Sequence, residues 1–233
     1  MNGDWLLLFV KAPSPGEVKT RLLPILSAED ACQLYRCLVL DTLNAARALR
    51  GVHVVLAYAA TSQFPDCSWL GEEVPIVLQQ GDDLGARLVH AFRWAFARKA
   101  RHVVVVGSDA PDISTHWLRL AFQELSRVDV VVGPSTDGGY HLIGLNHPHP
   151  KLLTDMPWST DRLLAQTLQR IRRLGLTVRC LEPISDLDTP KDVQRYLATL
   201  DGRRRLQTHT ARYLTRDSTA VRGDARTVAS SSG

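Results

Sequence analysis

The sequence lacks the features that mark a membrane protein, a secreted protein or a zinc protein. None of its apolar runs approaches the ~20 residues that a transmembrane helix needs. The apolar run at 5–10 is too short for a signal-peptide core and follows an acidic residue, Asp4. The four cysteines have no Cys-x-x-Cys spacing, which favours reduced thiols over a zinc site or disulfides. We therefore expect a cytoplasmic protein without a membrane span.

The sequence also lacks net charge over its first 200 residues. Residues 201–233 hold seven arginines and three aspartates, while the preceding residues carry 21 basic and 21 acidic side chains. The isoelectric point near 9 thus reflects a basic tail, and we expect no nucleic-acid partner for the body. Because the tail shows no apolar periodicity, we predict a domain over 1–200 and a disordered extension over 201–233. Nothing in the sequence indicates an oligomeric state.

Two common phosphate-binding motifs are absent from the loop that follows the first predicted strand, 5–10. The loop has neither the first glycine of a Walker A motif nor a Gly-x-Gly-x-x-Gly fingerprint. It does carry cations at Lys11, Lys19 and Arg21, and Pro13 and Gly16 fix its path. Loops in this position bind phosphates in many α/β folds. Composition alone leaves open a phosphate-binding loop and a solvated basic loop.

The sequence does contain apolar strands that alternate with amphipathic helices, which predicts an α/β fold. The central strand, 102–106, has four consecutive valines and is predicted to be buried on both faces of a parallel sheet. The turn before Tyr140 is too short for a crossover, so 140–145 is predicted to return antiparallel. We expect a mostly parallel twisted sheet with helices on both faces. Helix caps are predicted at Asp82 or Asp83, at Ser159 or Thr160, and at Thr189.

Acidic residues follow the central strand, where ligands collect in open α/β sheets. Asp109 and Asp112 lie close together in the segment Gly-Ser-Asp-Ala-Pro-Asp. A hard cation such as Mg²⁺ or Mn²⁺, itself holding a phosphate, would neutralise this pair. The alternative is that Asp112 caps the next helix and Asp109 accepts hydrogen bonds from loop amides.

Other polar residues follow the neighbouring predicted strands. An Asp-Gly hairpin at Asp137 accounts for its turn, but not for Ser135 and Thr136. Likewise, a helix cap at Thr189 leaves Asp186 and Asp188 without an explanation. Trp158 lies in a loop, where its indole either stacks on a sugar or closes the core.

Five motifs occur together and in order: Lys-x-Pro-x-x-Gly-x-x-Lys-Thr-Arg-Leu at 11–22, Gly-Ser-Asp-Ala-Pro at 107–111, Gly-Pro-x-x-Asp-Gly-Gly-Tyr at 133–140, Pro-Trp-Ser-Thr at 157–160 and Asp-x-Asp-Thr-Pro at 186–190. This set resembles a small bacterial family of GT-A-type nucleotide-diphospho-sugar transferases, some of them linked to arsenosugar biosynthesis. The resemblance covers residues 5 to about 199. It is fainter to the molybdenum-cofactor and 2-phospholactate nucleotidyltransferases.

The resemblance implies a single Rossmann-like GT-A domain and a role for each motif residue. It implies metal ligation by Asp109 and Asp188, and it places Lys11, Lys19 and Arg21 around the nucleotide phosphates. We also expect nucleotide contacts from Pro13, Gly16 and Ser108, and from Gln80, Gly81 and Arg87, which follow the predicted strand at 74–78 and reach the same sheet edge. Substrate contacts are expected at Gly138, Gly139, Tyr140 and Trp158, and catalytic roles for Asp137, Lys19 and Arg21. The loop departs from the Gly-x-Gly-Thr-Arg pattern of sugar nucleotidyltransferases, so NTP binding of the standard kind is not implied.

The function expected from these residues is metal-dependent transfer of a sugar from a nucleoside-diphosphate sugar to a small-molecule acceptor, with Mg²⁺ or Mn²⁺ as cofactor. Two alternatives stay open. One is a nucleotidyltransferase that joins an NTP to a phosphorylated small molecule and releases pyrophosphate. The other is a non-catalytic nucleotide-binding protein.

Overall fold

The structure is a computed structural model, and it describes residues 3–59, 66–71, 73–200 and 207–216. The chain divides into two compact units. The sheet unit comprises residues 1–12 and 42–186, and the helical unit comprises residues 13–41 and 187–233.

The sheet unit is built on seven strands in the order β3-β2-β1-β4-β6-β5-β7. Strand β6 pairs antiparallel with β4 and β5, and the other neighbouring strands pair parallel. This confirms the predicted mostly parallel sheet with one antiparallel strand. The strands are β1 Asp4–Lys11, β2 Val52–Ala59, β3 Ile76–Leu78, β4 His102–Val106, β5 Val130–Pro134, β6 Tyr140–Leu145 and β7 Val178–Cys180.

Helices cover both faces of this sheet, as predicted. On one face, Val103 and Val105 of β4 share a buried cluster with residues of α2 Leu84–Ala97, α4 Pro150–Leu153 and α5 Leu163–Arg173. On the other face lies α3, Thr115–Leu125. A Cβ on Gly133 would lie 2.4 Å from the Trp117 ring, and one on Gly144 would lie 2.9 Å from Leu125. Among the described helices, none is both long and apolar enough to cross a membrane.

Two of the predicted helix starts are confirmed. Asp83 caps α2 by accepting a hydrogen bond from the Ala86 amide. Thr189 and Asp192 form a reciprocal capping box at α6, Pro190–Thr199.

The alternative in which Asp112 caps a helix is wrong, and so is the expected cap at Ser159 or Thr160. The residue that caps α3 is Ser114, whose hydroxyl accepts from the Trp117 amide, rather than Asp112. Neither Ser159 nor Thr160 caps α5, which begins only at Leu163. The reason is a turn before the helix: Ser159 has a φ of +60°, and the Thr160 hydroxyl donates to the Pro157 carbonyl.

The helical unit contains part of α1 Ala28–Arg47, a 3₁₀ helix at Thr20–Leu22, α6, and α7 His209–Arg216. Its core joins Leu22 and Leu34 to Val193 of α6 and to Ala211 and Leu214 of α7. The prediction of a disordered tail is therefore wrong for 207–216, where α7 packs into the helical unit. The buried face of α7 spans only about one turn, so the sequence shows no apolar periodicity there. The rest of 201–233 lies outside the described residues.

Candidate active site

The strand order places a topological switch point at β1. From β1 the chain continues to β2 and β3 on one side, and it then returns to β4 on the other side. Ligands of open α/β sheets bind in the crevice outside the strand ends at such a point. Lys11 is the last residue of β1, and Ser108 and Asp109 follow the parallel strand β4. The structure thus brings these three predicted residues to one edge of the sheet.

The chemistry of this edge suits a hard cation. Asp109 is partly buried beside Ser108, which is 2% exposed, and carboxylate oxygens are the ligands that Mg²⁺ prefers. Among the described residues, no group of three or more His, Cys, Asp or Glu side chains lies close enough together to hold a metal ion. Mg²⁺ commonly uses one or two carboxylates together with substrate phosphates and waters. Asp109 therefore fits a cation that arrives with a nucleotide.

The predicted nucleotide residues after β3 form a tight local turn. Gly81 has a φ of +133°, and a Cβ there would lie 2.6 Å from the Ala86 side chain. Its carbonyl accepts a hydrogen bond from Arg87 Nε at 3.0 Å. Gln80 is exposed at the same turn. Glycine is required here by both backbone conformation and close approach, and Arg87 stabilises the turn.

The hairpin between β5 and β6 holds the predicted catalytic residue, Asp137. The Ser135 amide donates to the Gly139 carbonyl at 3.0 Å, and the Gly139 amide donates to Asp137 Oδ1 at 2.9 Å. Gly138 has a φ of +92°, and a Cβ there would lie 2.2 Å from the Asp161 carbonyl oxygen. The backbone of the hairpin is therefore fixed by its own hydrogen bonds and by close contact with the segment before α5.

A segment that follows β7 brings a second carboxylate to this hairpin. The Leu181 amide donates to Val132 and the Ile184 amide donates to Pro134, so residues 181–184 continue alongside β5. The segment delivers Asp186, whose Oδ2 lies 3.1 Å from the Ser135 hydroxyl. The same hydroxyl makes a very short hydrogen bond to Asp137 Oδ1.

His141, at the start of β6, completes this cluster. Its Nδ1 lies 3.1 Å from Asp186 Oδ1, and its Nε2 lies 3.3 Å from the Ile184 carbonyl oxygen. The imidazole is almost fully buried. We refer to Ser135, Asp137, His141 and Asp186 as the hairpin cluster.

Asp137 is held in its ionised form. Burial alone would raise the pKa of this carboxyl group, but hydrogen bonds from the Ser135 hydroxyl and the Gly139 amide, together with the charge of His141, outweigh it. The net effect is a pKa below the ordinary value of 3.8. Asp137 therefore stays ionised at neutral pH.

The two aromatic residues predicted to contact substrate pack against the core. Tyr140 and Trp158 are partly buried against the cluster on the α2 face. Their rings meet edge to face at a centroid distance of 6.2 Å. Trp158 Nε1 lies 2.8 Å from where a Cβ of Gly85 would be. Burial also raises the pKa of Tyr140. The phenol is thus no base, and for Trp158 the core-closing alternative has direct support.

The remaining predicted residues lie in the helical unit. Lys19, in the left-handed region with a φ of +49°, places its ammonium 2.6 Å from Asp188 Oδ1. The Lys19 side chain is 2% exposed, whereas the Asp188 side chain is 34% exposed. Gly16 has a φ of +79° with open space around it, and Arg21 is exposed. Pro13 contributes a backbone acceptor to the Cys32 thiol.

The ion pair joins residues that were predicted to bind opposite partners, Lys19 a phosphate and Asp188 a metal. Part of the charge of each is already balanced by the other.

Sequence reasoning missed the hairpin cluster as a unit. Ser135 and Asp186 stood out as polar residues without a local explanation, which was the available signal. His141 gave none, because a single histidine in an apolar strand does not reveal its partner. Asp186 is 45 residues away from His141 in the chain, and only the alignment of 181–184 along β5 brings the two together.

The fold and the strand-end site define an α/β domain of the GT-A and nucleotidyltransferase kind. The chain belongs to the family described as "Uncharacterized protein conserved in bacteria" (DUF2064), which matches residues 42–160. Among curated proteins, none matches the sequence significantly.

Solved structures support this assignment. A protein from Desulfovibrio desulfuricans G20, provisionally described as a nucleotide-diphospho-sugar transferase, is 31% identical with a TM-score of 0.89, over 96% of this chain and 98% of that one. This confirms the resemblance identified in the sequence.

More distant structures share the fold alone. A cytidylyltransferase from Leptospira borgpetersenii has 12% identity and a TM-score of 0.55, over 95% of this chain and 97% of that one. Glucosyl-3-phosphoglycerate synthase from Mycobacterium tuberculosis, solved with Mn²⁺, UDP and glucosyl-3-phosphoglycerate, has 11% identity and a TM-score of 0.50, over 79% of this chain and 71% of that one.

Proposed function

We propose that this protein is a glycosyltransferase that moves a sugar from a nucleoside-diphosphate sugar to a small-molecule acceptor with the help of Mg²⁺ or Mn²⁺. The observation that carries the proposal is the ionised Asp137 carboxylate, held by a fixed hairpin at the edge of the sheet where Asp109 also lies. The relative from Desulfovibrio desulfuricans, provisionally described as a nucleotide-diphospho-sugar transferase, supports the donor class.

Asp137 acts in this scheme as the general base. Its carboxylate takes the proton of the acceptor hydroxyl as the acceptor oxygen bonds to the anomeric carbon. The bond from that carbon to the donor phosphate breaks, and the nucleoside diphosphate leaves with the bonding electrons. A positioned base of this kind contributes about 10²- to 10⁴-fold to the rate.

Cationic groups would neutralise the negative charge of the donor's diphosphate. A bound Mg²⁺ or Mn²⁺ would offset the negative charge that develops on the leaving group, and Asp109 would hold it. Lys11 lies at the same sheet edge, where its charge suits a phosphate. The proposals that Lys19 and Arg21 bind phosphate and that Asp188 is a second metal ligand rest on the motif resemblance.

Nucleotidyl transfer is the second candidate. It is favoured by the shared fold with a cytidylyltransferase over nearly the whole chain. The two reactions differ in their leaving groups, because nucleotidyl transfer from an NTP releases pyrophosphate and glycosyl transfer releases a nucleoside diphosphate.

Binding measurements test the proposed role of Asp109. UDP-, GDP-, ADP- and CMP-sugars and the free triphosphates would be compared by thermal stabilisation, with and without Mn²⁺. The nucleotide that stabilises the protein most in the presence of Mn²⁺ should then bind, with Mn²⁺, at least tenfold more weakly to Asp109→Ala than to wild type. Glu73→Ala is the control, since this exposed acidic residue of the sheet unit has no predicted role in binding. Equal affinity of Asp109→Ala and wild type would exclude the metal role of Asp109.

A further inference from the structure

We propose that Ser135, Asp186 and His141 are positioning residues that hold the Asp137 carboxylate in a single orientation, with Oδ2 as the oxygen that takes the acceptor proton. This inference rests on the proposed function of Asp137 as the general base. It assigns a role to three buried or partly buried polar residues that the reaction scheme leaves unused.

The direction of the carboxylate follows from its hydrogen bonds. The Ser135 hydroxyl and the Gly139 amide both donate to Oδ1 of Asp137. In addition, the Asp137 amide donates to Ser135 Oγ at 3.3 Å. Two donors that converge on one carboxylate oxygen fix the rotation of the group and direct the other oxygen away from them. Oδ2 is thus presented on the exposed side of the hairpin, where Asp137 is open to solvent.

Asp186 fixes the hydroxyl that makes this contact. A serine hydroxyl has one proton to donate and can rotate freely unless its acceptors restrict it. Ser135 Oγ lies between Asp137 Oδ1 and Asp186 Oδ2, and the residue is 6% exposed. The hydroxyl is therefore held between two carboxylate oxygens, which share its single proton as acceptors.

His141 holds Asp186 in place. Its Nδ1 lies 3.1 Å from Asp186 Oδ1, its Nε2 lies 3.3 Å from the Ile184 carbonyl oxygen, and the imidazole is almost fully buried. A ring that faces an oxygen atom at each nitrogen has little freedom to rotate, so it restricts the carboxylate of Asp186, which in turn restricts the Ser135 hydroxyl.

The first test measures Asp137 directly and needs no activity. The carboxyl ¹³C signal of Asp137 is titrated in wild type, Ser135→Ala and His141→Gln. Because both substitutions remove a group that lowers the pKa of Asp137, we expect the titration midpoint to rise in each. Ser135→Thr keeps the hydroxyl and should restore the wild-type midpoint. Glu182→Gln, which removes an exposed carboxylate from the segment that carries Asp186, is the matched control. Unchanged midpoints in both Ser135→Ala and His141→Gln would overturn the inference.

The second test separates positioning from substrate binding. Ser135→Ala and Asp186→Asn should lower kcat about tenfold while the KM for the donor stays within twofold. The acidic limb of the kcat profile should move to higher pH in Ser135→Ala, because a base with a raised pKa is protonated sooner as the pH falls. Two titratable groups lie near Asp137: Asp186, which shares the Ser135 hydroxyl with it, and His141, which acts on it through charge. Thermal unfolding checks that each variant is folded. If Asp186→Asn is not folded, the kcat and KM of Ser135→Ala and Ser135→Thr decide whether the positioning role is correct.

The two proposals fail differently. If Asp137→Asn retains full transfer activity, the base assignment is wrong, whatever the Asp137 titration shows. If Asp137→Asn lowers kcat at least 100-fold but the Ser135 and His141 variants leave both the Asp137 titration and kcat unchanged, the base stands and the positioning role is wrong.

Discussion

Single residues of the hairpin between β5 and β6 are constrained by backbone geometry as strongly as by chemistry. Gly138, expected from the motif to contact substrate, adopts a φ of +92° and lies against the Asp161 carbonyl. Its own carbonyl accepts a hydrogen bond from the Leu164 amide at 2.9 Å. These contacts connect the hairpin that holds Asp137 to the start of α5.

We predict that Gly138→Ala destabilises the protein by about 2–4 kcal/mol, because both the positive φ and the crowded Cβ position oppose a side chain. Gly51→Ala is the matched control, since Gly51 has a φ of +75° but open space around it. It should cost only about 1–2 kcal/mol. Urea unfolding of both variants gives the comparison. Equal costs would show that the contact with Asp161 contributes nothing.

The ion pair between Lys19 and Asp188 should be energetically coupled, because one partner is almost fully buried. We predict that Asp188→Asn destabilises the protein on the order of 2 kcal/mol, and that Lys19→Met with Asp188→Asn together cost less than the sum of the single changes. A double-mutant cycle by urea unfolding measures this coupling. A coupling energy near zero would mean that the pair does not stabilise the fold.

The sequence revealed residues whose role is local and missed those whose role depends on tertiary contacts. Asp109 and Asp137 follow apolar strands, and a parallel sheet brings strand ends to one edge, so their placement could be predicted. The contacts of Asp186 with Ser135 and of Asp188 with Lys19 join residues that are distant in sequence. No periodicity or spacing rule encodes such pairs.

At the level of elements, the same distinction separates the confirmed predictions from the wrong ones. The run at 140–145 was predicted as an antiparallel strand because the preceding turn excludes a crossover. Helix α7, by contrast, is eight residues long and shorter than the ~12–15 residues of a marginally stable isolated helix. It exists because of contacts that sequence does not display, including those of Asp41. The two carboxylate oxygens of Asp41 accept the amides of His209 and Thr210 at 2.7 and 2.8 Å.

We predict that Asp41→Ala releases α7 from the helical unit. A carboxylate at a helix N-terminus contributes about 1 kcal/mol, so amide exchange in 209–216 should accelerate about fivefold. The central sheet should keep its protection. Glu29→Ala, an exposed acidic change in the same helix α1, serves as the control. Hydrogen-exchange mass spectrometry resolves the segment, and unchanged exchange in 209–216 would refute the role of Asp41.

Asp129 connects three strands of the sheet and should make their stability depend on pH. Its carboxylate accepts hydrogen bonds from the Thr177 hydroxyl and amide and from Asn146. These bonds, those from Thr177 above all, hold the pKa of Asp129 below its ordinary value of 3.8. A carboxyl with a lowered folded-state pKa stabilises the protein above its unfolded-state pKa, and this stabilisation is lost as the pH falls through the folded-state value.

Asp129→Asn should therefore destabilise the protein by about 1 kcal/mol at pH 7, and the difference from wild type should shrink below about pH 4. Urea unfolding of both proteins between pH 7 and pH 3 gives the test. A difference that stays constant over this range would contradict the assignment.

At the level of the whole molecule, each compact unit carries its own predicted residues. The sheet unit contains Asp109 and the ionised Asp137 at the carboxyl ends of its strands. The helical unit contains the Lys19–Asp188 ion pair and Arg21. The proposed function requires that a nucleotide-activated sugar is cleaved at the carboxyl edge of the sheet.

The most direct measurement is ³¹P NMR of the purified protein with the nucleotide sugar that stabilises it most. The buffer contains Mg²⁺ and no Mn²⁺, and the acceptor is water or a sugar alcohol. We expect a nucleoside diphosphate signal to grow with the wild-type protein, and to grow at least 100-fold more slowly with Asp137→Asn. Pyrophosphate release from the matching NTP, with no nucleoside diphosphate formed from any nucleotide sugar, would contradict the proposed function.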